Sequence, residues 1–108
     1  MQPGTTNVTS KSGAECTLRL PPICDTAVAH TLKNDLMRLT TPGGILVVLA
    51  QDVQLITTAC MQLLLAADRA LARHGGALQL REASAAARTA FDDLGLNADF
   101  NRWIDAHG

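Results

Sequence analysis

The residues of this chain that could do chemistry are three histidines, three cysteines, two adjacent aspartates and two adjacent threonines. His30, His74 and His107 are scattered, and each has a structural explanation. His30 falls at the edge of a helical apolar stripe, His74 at a helix C-terminus where a cation is mildly stabilising, and His107 in the terminal residue pair. Cys16, Cys24 and Cys60 are separated by 8 and 36 positions. Zinc sites use short paired spacings, so these read as thiols packed as small hydrophobes. Asp92 and Asp93 are helix neighbours and point in different directions, which removes them as a carboxylate pair. Gly43-Gly44 and Gly75-Gly76 precede strands, so they are turns rather than phosphate cradles. No catalytic set, metal site or cofactor is expected.

Thr57 and Thr58 remain. In QDVQLITTACMQLLL, residues 51–65, a strand runs into a loop and the loop into a leucine-rich helix. A helix start carries unsatisfied N–H groups and a partial positive charge. One threonine is expected to cap an N–H group and the other to stay free in an exposed loop. A phosphate there would add about −1.5 to −2 charges, tolerated by the helix N-terminus but hostile to an apolar or acidic partner surface.

The elements that must position this loop are readable from periodicity. Residues 16–20 alternate as a strand that Pro21-Pro22 ends, and Ile23-Cys24 allow at most a brief second one. Asp25 and Thr26 offer N-cap side chains to a helix with Val28, Ala29, Leu32, Leu36 and Leu39 inward and Lys33, Asp35 and Arg38 outward. Residues 45–50 form an uninterrupted aliphatic run, as in a central strand covered on both faces. A polar turn at Gln51-Asp52, a short apolar stretch at 53–56 and a helix over 58–74 follow, stopped by Gly75-Gly76. Residues 77–81 make a third clear strand; Ser84 and Asn97 cap two last helices carrying Phe91 and then Phe100 and Trp103. Alternation of this kind predicts a single α/β domain, a small mixed sheet of about four strands with three or four helices.

Composition excludes several classes. With 108 residues, 47% of them hydrophobic and only three aromatic, the core rests on Leu, Ile, Val and Ala. Nine Lys plus Arg against ten Asp plus Glu leave a net charge of −1, without the basic stripe of a nucleic-acid binder. The apolar runs are too short to cross a membrane, and the start lacks the apolar core of a signal peptide, so no membrane insertion and a cytoplasmic location are expected. Residues 1–13, rich in Thr, Ser, Gly and Asn, read as a disordered tail ahead of a domain over 14–108.

The segment VQLITTACMQLLLAADRALARHGGALQLREASAAARTAFDDLGL resembles the STAS family of anti-sigma-factor antagonists. In that family a strand ends in an Asp-Ser/Thr-Ser/Thr/Gly-Gly-Leu motif that opens a helix. Thr57-Thr58-Ala59-Cys60-Met61 occupies its place, with Thr58 on the phosphoacceptor and Thr57 where the family usually has Asp. Leu20-Pro21-Pro22-Ile23-Cys24-Asp25 resembles the family's strand–Asp–helix segment, with Asp25 on an acidic rim position. The resemblance implies a non-enzymatic module whose rim comprises Asp25, Asp52, Thr57, Ala59, Cys60 and Met61, with bulk added at 59–60. Its partner would be an anti-sigma kinase of the GHKL type, with phosphorylation of Thr58 controlling docking. The alternative is a constitutive accessory subunit on the ATPase of a bacterial phospholipid-trafficking ABC transporter.

Overall fold

The structure, a computed structural model, describes residues 7–10 and 15–105. The elements in chain order are β1 (Asn7–Ser10), β2 (Glu15–Arg19), β3 (Ile23–Cys24), α1 (Thr26–Leu39), β4 (Ile45–Leu49), β5 (Leu55–Ile56), α2 (Thr58–Arg73), β6 (Ala77–Arg81), α3 (Ala85–Asp93) and α4 (Asn97–Asp105). The main sheet has the order β1-β2-β4-β6, with β2, β4 and β6 parallel and β1 antiparallel on the edge. β3 and β5 form a separate parallel pair. This is the mixed α/β architecture expected from the alternation of periodicities.

The run Ile45–Leu49 is central because it can be buried on both faces: Val47 is 2% exposed and Val48 0%. Register sets Leu18, Val48 and Leu80 side by side on one face, where they join Leu32 and Leu36 of α1 and Leu64 and Leu71 of α2 in the core. On the other face Thr17 and Gln79 flank Val47. α3 and α4 add an aromatic corner beside β6, where Phe91 stacks at 5.1 Å from Phe100 and meets Trp103 edge-on at 5.7 Å. Ser84 caps α3 by accepting from the Ala87 N–H, and its own hydroxyl donates to the Val53 carbonyl at 2.6 Å.

β4 and β6 start against one another at two glycine turns. Gly75 adopts φ +78°, and the Gly76 N–H returns to the Leu71 carbonyl to stop α2. A Cβ on Gly76 would lie 2.3 Å from the Gly44 carbonyl oxygen, so backbone meets backbone there only because the side chain is missing.

Four local expectations need correction. Residues 7–10, inside the segment read as a disordered tail, form β1; the β-branched Val8-Thr9 pair with the open edge of β2, while the remainder of 1–13 lies outside the described residues. Asp35 does not face water: it is 8% exposed, with the Arg38 guanidinium over it at 2.6 Å. The apolar stretch 53–56 becomes strand only at Leu55–Ile56. Asn97 lies inside α4, its amide donating to Asp92, and the Leu96 carbonyl accepts the first helical bond from Phe100.

Candidate functional site

The geometry of the threonine loop follows from the β3–β5 pair. Ile23 is in register with Leu55 and Cys24 with Ile56, so the chain leaves the two strands side by side, at Asp25 and at Thr57. Each exit leads directly into a helix. The Thr57 N–H donates to the Cys24 carbonyl at 3.0 Å, and the Cys60 thiol reaches the Asp25 carbonyl at 3.4 Å, closing the two exits onto each other. The N-termini of α1 and α2 therefore emerge together, and the helices pack along their length.

The two termini are finished differently. Asp25 caps α1, its carboxylate accepting from the Val28 N–H at 3.1 Å. Thr57 holds the cap position of α2, yet its hydroxyl makes no cap hydrogen bond; its Oγ1 is buried on the side of the Cys60 thiol instead of reaching the helix N–H groups. Thr58, the first residue of α2, is exposed, as is Ala59. Helical rotation of about 100° per residue then turns the next two inward. Cys60 is 0% and Met61 2% exposed. Both are core residues rather than the rim residues that the resemblance implied, and Cys60 is the buried thiol read from its apolar surroundings.

Asp52 does not join this cluster through its side chain. Its carboxylate is held by Arg19 at 2.8 Å, across the ends of β2 and β4, and that hydrogen bond raises the Arg19 pKa. Nothing around residue 19 in the sequence announces a partner 33 positions away; the pair exists only through the tertiary fold.

Electrostatics set what the site can do. Burial pushes the Cys24 thiol up to about 12 and raises Cys60 as well, so both stay protonated and inert as nucleophiles. The Asp25 carboxylate is occupied by the helix cap, and no described His, Cys, Asp or Glu cluster could hold a metal ion. Thr58 thus presents an exposed residue at a helix N-terminus.

Fold and site together define a small parallel-centred α/β domain that offers paired helix N-termini on one rim. The chain belongs to the STAS domain family: the family model described as Mlab, STAS domain, matches residues 7–102. The match begins at β1, consistent with that strand being part of the domain. No curated protein sequence matches the chain. Domains of this family are generally non-enzymatic regulatory modules that act through protein–protein contacts. No described helix is long and apolar enough to cross a membrane.

Proposed function

We propose that this STAS domain is a regulatory docking module of the anti-sigma-factor-antagonist kind, which binds a GHKL-type anti-sigma kinase in the cytoplasm through the rim at Asp25, Thr57, Thr58 and Ala59. Phosphorylation of Thr58 releases the partner. The observation that carries this reading is the exposure of Thr58 at the first turn of α2, next to the capped start of α1. A phosphate there would sit on the positive end of a helix, so the fold tolerates it while the docking surface changes sign.

One observation favours a second reading, a constitutive subunit bound to a transporter ATPase. Thr57 replaces the acidic residue usual in the family, and its Oγ1 points into protein rather than framing Thr58. A site without that carboxylate is less suited to a kinase but no worse at docking.

Native purification with mass spectrometry would identify the partner. Affinity of that partner for wild type, Thr58→Ala and Thr58→Glu then separates the readings. A switch predicts binding by wild type and Thr58→Ala, and loss of about tenfold or more for Thr58→Glu. Equal affinity for all three removes the switch and leaves the constitutive subunit.

A further inference from the structure

The two helices that begin at the rim leave a groove between them on the outer surface, away from the sheet. Its floor and walls are Lys33, Leu36 and Met37 of α1 and Leu63, Ala66 and Ala70 of α2. It continues toward the rim past Ala29, His30 and Ala59, so it opens one residue from Thr58. Met37 is 68% exposed, the most exposed large apolar side chain in the described chain, and Leu63 is half-buried. The groove is mainly apolar between Leu36 and Ala70, and Thr26, His30 and Gln62 join its lining toward the rim.

Charge around it is one-sided. The chain as a whole is nearly neutral, yet the exposed charged residues of α1 and α2 are Lys33, Arg38, Arg69 and Arg73. The two carboxylates on these helices, Asp35 and Asp68, are 8% and 6% exposed and are bridged to Arg38 and Arg102. Lys33 lines the groove itself, and Arg73, three residues beyond Ala70 at the end of α2, falls on the same helical face by spacing, beyond the groove lining. Carboxylates are plentiful elsewhere, at Asp92, Asp93 and Asp99 on α3 and α4.

We infer that the α1–α2 groove is a docking site for an amphipathic helix of a partner protein, with an apolar stripe flanked by acidic residues. The inference rests on the reading of this chain as a docking module and not on a switch at Thr58. A helix suits the groove because α1 and α2 satisfy their own backbone groups and offer none to an extended strand, whereas a helix brings its backbone bonds with it. Ala66 and Ala70, one turn apart, let its backbone approach closely. The groove runs beside the 14 residues of α1, about 20 Å, room for about four turns of helix. Acidic flanks are required by Lys33 and Arg73, which would otherwise face a partner of their own sign. A membrane surface fits poorly, since the apolar residues line a concavity instead of projecting as a ridge.

The test uses a synthetic amphipathic peptide with leucines at helical spacing and glutamates on both flanks. Its counterpart carries lysines in place of the glutamates, and phosphatidylglycerol vesicles form a third arm. Binding to the full chain is followed by nitrogen-15 amide shifts and by anisotropy. The acidic peptide should bind with shifts at Lys33, Met37, Ala66 and Ala70, and Lys33→Glu with Arg73→Glu should weaken it by about tenfold while admitting the lysine peptide. Both positions are exposed, and unchanged melting of the double variant would show that the fold is intact. Equal binding of both peptides, shifts mapping outside the groove, or capture by vesicles without peptide binding would each overturn the proposal. Since no cognate partner is involved, those results would leave the Thr58 affinity comparison standing on its own.

Discussion

Asp25 and Thr57 occupy equivalent places at the ends of paired strands, and only Asp25 uses its side chain to cap the helix that follows. Both backbones are extended as a cap requires, at φ −100°, ψ −168° for Asp25 and φ −84°, ψ 163° for Thr57. The difference lies in the side chain alone: the Asp25 carboxylate reaches the Val28 N–H, whereas Thr57 Oγ1 is buried toward the Cys60 thiol and caps no N–H.

This asymmetry predicts opposite effects of substitution. Asp25→Ala should cost about 1 kcal/mol, and Thr57→Asp should gain about 1 kcal/mol by capping α2. A carboxylate at a helix N-terminus has a folded pKa below its unfolded value. The gain from Thr57→Asp should therefore be full above about pH 4 and fade as pH falls through the folded pKa. Denaturant unfolding of the three proteins across that range checks both sign and window.

The cysteines should report their burial through reactivity. Cys16 is half-buried, while Cys24 and Cys60 are 0% exposed. With its pKa pushed up to about 12 by burial, the Cys24 thiol stays neutral where an ordinary thiol, near pH about 8.5, already ionises. Alkylation of the native protein should thus label Cys16 first and leave Cys24 and Cys60 unmodified until denaturant is added. Mass spectrometry of the labelled peptides reads this directly; early labelling at Cys24 would contradict the packing of β3.

Gly76→Ala should destabilise the domain by about 2 kcal/mol through overpacking, since its Cβ would fall 2.3 Å from the Gly44 carbonyl oxygen. Relief would require β4 and β6 to part at their first residues, where the Ala77 N–H bonds that same carbonyl at 3.0 Å. Gly44→Ala is the less informative partner, and thermal melting of Gly76→Ala against wild type suffices.

Arg102 bridges α4 to Asp68 at 3.0 Å and to Asp99 at 2.6 Å, and the two bonds should not weigh equally. Asp68 has a side chain 9% exposed, so losing Arg102 leaves a carboxylate with little water to replace it. Arg102→Ala should cost about 1 kcal/mol, allowing for the half-exposed guanidinium. Asp99→Ala should stay within about 0.5 kcal/mol. A double-mutant cycle with Asp68→Ala measures the coupling.

Much of this architecture is written locally in the chain. The aliphatic run at 45–50 admits no solvent-facing side, so a central strand is its only economical fate. Asp25 and Ser84 precede apolar helical periods and cap them, and Gly75 adopts the left-handed turn that a glycine enters without strain. The position of Thr58 at a helix start is equally local, because the strand-to-helix change of period falls on it.

Other features exist only once distant segments meet. Arg19 and Asp52, 33 positions apart, pair because β2 and β4 end together, and residues 7–10 become a strand because β2 offers an open edge. Periodicity put Asp35 in water, but a helix has no fixed outside until its neighbours are in place. In the packed domain Cys60 is buried, Asp35 lies under the Arg38 guanidinium, and Leu63 and Met37 are left along a groove. A local pattern specifies which residues of a helix share a face; which face another element covers is determined by long-range strand pairing, and the surface available for docking is what that pairing leaves open.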